Sequence, residues 1–134
     1  MNARYVFRVR FGLAHAGNVR VEPDEFRARV FRIADDPGTK GWLFFRDVFW
    51  RGEVNDERYA RKLFSETLGV PVRDVDFRAF ETDREHLDAL EREIRSNLDL
   101  FKADDATEVL NKYLGSSVEV RSDGWVDAND EPKR

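Results

Sequence analysis

Cysteine is absent from this chain of 134 residues. The absence excludes disulfide bonds, a thiolate nucleophile and a cysteine metal site, and it fits a reducing cytoplasm. Histidine occurs only as His15 and His86, with no second ligand at metal spacing, so we expect both to be solvated. The segment DPGTKG has the glycine spacing of neither the Walker motif nor the dinucleotide-binding motif, the two loops that bind phosphates. The sequence therefore predicts no catalytic residue, no metal and no cofactor.

Long apolar runs are also missing. The N-terminus, MNARYVFRVRF, alternates arginine with apolar residues, so it has neither the apolar core of a signal peptide nor the length of a membrane span. We expect a soluble cytoplasmic protein that binds no membrane. A net charge of -4 weighs against general affinity for nucleic acid. The hydrophobic fraction of 41% is sufficient for one core.

Three strands are predicted in the first 50 residues. Residues 4–11 alternate apolar and polar side chains, which is typical of a half-buried strand. Residues 26–33 also alternate, but the phase changes between Val30 and Phe31, which predicts a bulge or a change of exposure there. Residues 41–50, GWLFFRDVFW, are apolar on both faces, and the turn DDPGTKG joins them to the second strand as a hairpin. A strand of this kind is usually central in a sheet.

The rest of the chain predicts helices and two further strands. One helix follows Asn55 and ends at Gly69, and the strand VRDVDFRAFE comes next. Thr82 and Glu85 have the spacing of a capping box before a second helix, whose inner stripe reads Leu87, Leu90, Ile94, Leu98 and Phe101. A third helix, DDATEVLNKYLG, precedes the strand SVEV.

This order predicts an α+β fold, a two-layer sandwich. We expect a mostly antiparallel sheet of four or five strands with about three helices on one face. Residues 1–121 form the single domain, and residues 122–134 are a polar tail that we expect to be flexible. Trp125 in this tail is a candidate cover for the sheet.

Arginines dominate one face of the predicted sheet. If the first two strands pair, one face collects five of them, which we call the arginine face: Arg4, Arg8, Arg10, Arg27 and Arg29. Trp42, Phe44 and Arg46 are candidates to adjoin it, and cations mixed with stacking rings are typical of single-stranded RNA binders. The competing interpretation is that Asp74 and Asp76 neutralise the arginines across the strands. The acidic total favours neutralisation.

The aromatic third strand also has two interpretations, a core strand with its own cover or an exposed groove for a partner. Core packing is favoured. Its motif Phe49, Trp50, Arg51 then predicts that Trp50 is a buried anchor between sheet and helix. Arg51 is expected to pair with a carboxylate on the opposite face. Arg46 and Asp47 are expected to point to opposite faces.

Several segments carry a family resemblance. The run GWLFFRDVFWRGEV, the helix after it, VRDVDFRAFETD and VLNKYLGSSVEV resemble the LWR-salt family, small proteins of halophilic archaea, from about Tyr5 to Val120. The family takes its name from a Leu-Trp-Arg tripeptide, which here reads Phe49, Trp50, Arg51. The resemblance implies a haloarchaeal cytoplasm and no known ligand.

Taken together, these patterns favour a non-catalytic interaction module. We expect it to bind a protein partner or a second copy of itself through the aromatic third strand or the arginine face. The alternative is binding of single-stranded RNA through the arginine face. No pattern supports an enzyme, because no carboxylate or histidine is placed in a recognisable pocket.

Overall fold

The structure is a computed structural model, and it describes residues 1–13 and 17–121. His15 and the tail 122–134, with Trp125, lie outside the described residues. The elements in chain order are β1 (Ala3–Gly12), β2 (Glu25–Ile33), α1 (Phe44–Val48), β3 (Phe49–Trp50), β4 (Glu53–Val54), α2 (Glu57–Leu68), β5 (Val72–Thr82), α3 (Arg84–Arg95), a 3-10 turn (Leu98–Leu100), α4 (Ala106–Leu114) and β6 (Val118–Val120).

The main sheet has four strands in the order β2-β1-β5-β6. Strand β1 is antiparallel to both β2 and β5, whereas β6 is parallel to β5. The α+β class is confirmed, with a mixed sheet. Strands β3 and β4 form a separate two-stranded hairpin.

The two faces of the sheet differ because β1 alternates apolar and arginine side chains. Tyr5, Phe7 and Val9 point to the helices, and opposite them β5 contributes Val75, Phe77 and Phe80. The register of β5 shifts by one residue between Ala79 and Phe77, which is a β-bulge at Arg78. The bulge keeps apolar residues on the helix side along the whole strand, although Phe77 and Phe80 are three residues apart.

The helices cover only this apolar face. Buried side chains of α2, α3 and α4 belong to one cluster with the inward residues of β1 and β5. Phe64 of α2, for example, packs edge-on against Phe7 with ring centroids 4.9 Å apart. Helix α2 begins at its cap Asp56, which accepts a hydrogen bond from the Tyr59 amide, and ends at Gly69.

The predicted third strand is wrong. Residues 39–43 are turns, residues 44–48 are helix α1, and only Phe49 and Trp50 are extended. Spacing explains the difference, because Phe45 and Val48 are three residues apart and both are buried on one side of the short helix. A run that is apolar in both strand phases also satisfies a helical period, so its alternation does not determine its structure.

The predicted burial of Trp50 is also wrong. Phe49 is the buried residue, 1% exposed, and its ring stacks on Phe77 with centroids 4.1 Å apart. Trp50 is 41% exposed. The chain is extended after α1, so adjacent side chains point to opposite sides of it. When the Phe49 ring points into the core, the Trp50 ring therefore points towards solvent.

Helix α3 differs from its prediction at both ends. Its cap is Asp83, which accepts a hydrogen bond from the His86 amide at 2.7 Å, while Thr82 still belongs to β5. It ends at Arg95, well before Phe101. The side-chain amide of Asn97 donates to the carbonyl oxygen of Glu93, so an Asn close to the C-terminus satisfies a helix carbonyl and competes with continued helix.

His86 is buried, contrary to the expectation that it is solvated. It lies four residues before Leu90, which lies four before Ile94, so all three share the inner stripe of α3. Only 2% of His86 is exposed, and its Nδ1 atom has no hydrogen-bond partner among the described residues. Burial lowers the pKa of His86, and nearby Asp36 and Asp83 oppose that shift.

Among the residues that the structure describes, no helix is both long enough and apolar enough to cross a membrane.

The buried Phe49 ring and the exposed Trp50 ring predict losses of stability of very different size. Phe49→Ala empties a closely packed aromatic site and should lower the free energy of unfolding by about 3–5 kcal/mol. Trp50→Ala removes a partly exposed ring and should cost about 1 kcal/mol or less. Urea denaturation of both variants measures the difference. Equal losses, or a larger loss for Trp50→Ala, would contradict the structure.

The buried imidazole predicts a pH dependence of stability. Since the folded-state pKa of His86 lies below its ordinary 6.5, the unfolded chain binds a proton first as the pH falls. Stability should therefore fall below about pH 6.5, and the loss should level off once the folded state is also protonated. Thermal melts of the parent and His86→Phe between pH 8 and pH 5 test this. His86→Phe should lose this fall, and a fall equal to the parent's would contradict a role for His86.

Candidate interaction surfaces

The arginine face is the side of the main sheet that the helices do not cover. In the register of β1 and β2, Arg8 lies directly opposite Arg29, and Arg10 lies directly opposite Arg27. Residues opposite one another on antiparallel strands share a face, so the structure brings these four predicted residues together. Arg4 lies on the same face of β1.

Strand β5 supplies the carboxylates expected for neutralisation. Glu81, Asp76 and Asp74 are the direct partners of Arg4, Arg8 and Arg10 in the register, which gives three carboxylates against the five arginines of the arginine face. Neutralisation by the strand partners is therefore numerically incomplete on this face.

The ion pairs at the two ends of the face are well formed. The Nε atom of Arg4 lies 2.8 Å from Glu81 Oε1, and both side chains are nearly excluded from solvent. At the other end, Glu25 Oε2 accepts from Arg10 and from Arg73 at 2.9 and 2.8 Å. The hydrogen bond from Arg73 is the largest cause that lowers the pKa of Glu25; desolvation opposes it, and the hydrogen bond from Arg10 adds to the lowering.

The middle of the face is different. Asp76 bonds to Arg78 at 3.0 Å, and Arg29 approaches Glu81 only to 4.0 Å. Within residues 1–13 and 17–121, Arg8 and Arg27 make no ion pair. Together with Arg10, Asp74 and Asp76 they line a cavity of about 240 Å³. Two guanidinium groups in this cleft therefore keep their hydrogen-bond donors for solvent or for a ligand.

The aromatic residues expected beside the arginines lie elsewhere. Phe44 packs on Tyr5 with ring centroids 4.8 Å apart, and Trp42 packs against Phe101, so both are on the helix side of the sheet. Arg46 bonds to its neighbour Asp47 at 3.0 Å, so these two side chains meet instead of pointing to opposite faces. The ring on the arginine face is Phe31, with the guanidinium carbon of Arg4 4.2 Å from its centroid.

A second surface centres on Trp50, and we call its four residues the Trp50 cluster: Trp50, Arg51, Lys112 and Tyr113. The ring of Trp50 meets Tyr113 edge-on with centroids 5.9 Å apart. Arg51 Cζ and Lys112 Nζ lie 5.5 and 5.9 Å from the centre of the Trp50 ring, distances typical of cation–π contacts. The predicted carboxylate partner of Arg51 is not found in the part of the chain that the structure describes.

A tight turn holds this cluster on α4. Arg51 and Gly52 form the two-residue loop of the β3–β4 hairpin, and both have positive φ, 53° and 84°. The Arg51 amide donates to the carbonyl oxygen of Lys112 at 2.8 Å, and the Gly52 amide donates to that of Tyr113. The loop therefore satisfies two of the carbonyl groups that the last turn of a helix leaves unpaired.

Glycine is required where the loop meets the helix end. A Cβ atom on Gly115 would lie 3.1 Å from the carbonyl carbon and oxygen of Arg51, closer than ordinary contacts. The sequence predicted Tyr113 only as a buried residue of the third helix and assigned no role to Lys112, because their link to Trp50 depends on tertiary packing. The available signal was Gly52 directly after Arg51, since Gly at the second loop position is typical of two-residue hairpins.

Comparison with known proteins identifies the family of this chain. The model of the LWR-salt protein family matches residues 1–124, which include the whole sheet, the helices and both surfaces. The chain belongs to the LWR-salt family. No curated protein and no solved structure matches the chain. In this LWR-salt protein, the Trp-Arg pair of the family's name is the exposed pair at the β3–β4 turn.

Proposed function

We propose that this LWR-salt protein is a non-catalytic interaction module that binds an acidic protein partner through the arginine face. The observation that carries the proposal is the pairing of like charges, Arg8 with Arg29 and Arg10 with Arg27. Like charges directly opposite on two strands destabilise a sheet. A partner that brings carboxylates to this face relieves the repulsion.

The chemistry of the cleft favours carboxylates. Arg8 and Arg27 line the same cavity and make no ion pair with a described residue. Arginine binds carboxylates through two parallel hydrogen bonds, and its planar fork loses little freedom when it does so. Asp74 and Asp76 at the far wall would repel an anion that entered deeply, so the contact is expected at the rim formed by β1 and β2.

An acidic protein is a better fit than single-stranded RNA. Sequence-tolerant RNA binders need exposed rings on which bases stack. Trp42 and Phe44 lie on the opposite side of the sheet, and Phe31 already stacks under Arg4 and Arg29.

The proposed setting is the salt-rich cytoplasm of a halophilic archaeon. The absence of cysteine and the family resemblance support it. At 1 M salt the Debye length is about 3 Å, so long-range steering is lost. Only direct contacts between guanidinium and carboxylate groups then contribute, and the unpaired arginines of the cleft provide them.

The test is binding of polyglutamate to the full chain. Arg8→Glu combined with Arg27→Glu should weaken binding at least tenfold, because about 1.5–3 kcal/mol is lost with each charged hydrogen bond. Fluorescence anisotropy of labelled polyglutamate in about 0.1 M and 1 M salt measures the change. The control is Arg58→Glu combined with Arg92→Glu, which alters the net charge equally on two exposed helix positions.

Equal weakening in the two double variants would refute a specific role for the arginine face. Binding of labelled oligouridylate to the same proteins is measured in parallel. Tighter binding of oligouridylate than of polyglutamate, lost in the Arg8 and Arg27 variant alone, would replace the acidic protein by RNA.

A further inference from the structure

The Trp50 cluster places an exposed ring within 6 Å of two cationic side chains, at the end of α4. Phe49 fixes this orientation, since its ring is buried against Phe7 and Phe77. Tyr113 links the cluster to the core, because its ring meets those of Phe45 and Phe101. The ring of Trp50 is therefore presented from a rigid support.

Backbone conformation at Arg51 is unfavourable for an arginine. Its φ of 53° lies in the left-handed region, where Asn and Gly are preferred in such loops. The hydrogen bond from this loop position to α4 comes from the backbone amide, so any residue except proline can make it. The contact that the structure shows for the Arg51 side chain is with the exposed Trp50 ring, and residues held in disfavoured conformations are concentrated at functional sites.

The side chain of Arg51 is also available to a ligand. Its guanidinium group makes no ion pair with a described residue, and its contact is with the Trp50 ring. Lys112 lies at the same ring and donates to the carbonyl oxygen of Phe101. Glu53, directly across the hairpin from Trp50, makes no ion pair with either cation within the described chain.

We propose that the Trp50 cluster is a second binding site, which takes a segment of a partner protein that carries one carboxylate beside an apolar side chain. The carboxylate pairs with Arg51 and Lys112, and the apolar side chain covers the exposed part of Trp50. Tryptophan, tyrosine and arginine are the residues that most often dominate protein interfaces.

Neighbouring charges make a short acidic segment a better fit than a nucleic acid. A cavity of about 300 Å³ begins beside the turn at Gly52, and its lining includes four carboxylates, those of Glu53, Glu57, Asp74 and Asp76. A chain of phosphates that passed the Trp50 cluster would meet these carboxylates and be repelled. A segment with a single carboxylate meets less of this repulsion than a chain of phosphates does.

The probe is a capped pentapeptide, Ser-Leu-Glu-Leu-Ser, titrated into the full chain and followed by NMR. The indole signal of Trp50 is assigned by its loss in Trp50→Phe. We expect a saturable shift of this signal and of the Arg51 side-chain signal. The same peptide with Gln in place of Glu should bind at least fivefold more weakly. Absence of a shift at about 10 mM peptide, where contacts of millimolar affinity are detected, would overturn the proposal.

Arg51→Asn separates binding from folding. Because Asn suits the left-handed conformation, this variant should melt at the parental temperature or higher, while the shift of the Trp50 signal weakens at least fivefold. Glu53→Gln is the matched control, and it should leave the shift equal or larger. Arg51→Asn that folds and keeps the full shift would show that the arginine takes no part.

Two further arms distinguish the alternatives. Arg8→Glu combined with Arg27→Glu should leave the Trp50 shift unchanged, so failure of the arginine face and failure of the Trp50 cluster are separate results. Oligouridylate that shifts the Trp50 signal more strongly than the peptide would overturn the choice of a protein segment.

Discussion

The stack of Phe49 on Phe77 is the contact on which both layers of this protein depend. With centroids 4.1 Å apart, it is the closest ring pair among the described residues. The Phe49 ring also reaches Tyr5, Phe7 and Phe44, so it joins α1 and the hairpin to the inward face of β1 and β5. Aromatic pairs of this kind add about 0.5–1.5 kcal/mol each beyond simple burial.

This packing determines the surface as well as the core. When Phe49 points inward, the extended backbone turns Trp50 outward, and the following loop reaches the end of α4. The loop then caps two carbonyl groups of the helix and holds Arg51 beside Trp50. An exposed Trp-Arg pair is thus a direct consequence of one buried phenylalanine. The arginine face arises in the same way, from the inward orientation of alternate residues in β1.

The sequence was sufficient for the elements with one clear period. Strands β1, β2 and β5 alternate over most of their length, and α2 and α4 carry caps and glycine stops, so their positions follow from local chemistry. The five arginines of the arginine face were placed together for the same reason. The phase change at Val30 and Phe31 is not a bulge, because the register of β2 with β1 is continuous there. Residues 41–50 could not be assigned, because an apolar run satisfies both strand and helix periods. Tertiary packing selected α1, and it also selected Phe49 over Trp50.

Long-range contacts account for the remaining differences. The Trp50 cluster joins residues more than 60 positions apart in the sequence, and no local sequence pattern predicts a contact over that separation. Asp76 pairs with Arg78 instead of Arg8, and this depends on side-chain geometry at the β-bulge. As a result, Arg8 and Arg27 make no ion pair with a described residue. The Trp50 cluster and the missing ion pairs of Arg8 and Arg27 therefore could not be predicted from local patterns, whereas the arginine face itself was.

Solvent paramagnetic relaxation tests most directly whether Phe49 and Trp50 point to opposite sides of the chain. A neutral gadolinium complex added to the ¹⁵N-labelled chain relaxes protons according to their distance from solvent. The ring protons of Trp50 should relax strongly, whereas those of Phe49 and the half-buried Trp42 should be protected. Protected Trp50 protons together with relaxed Phe49 protons would contradict the account, because they would place the tryptophan in the core.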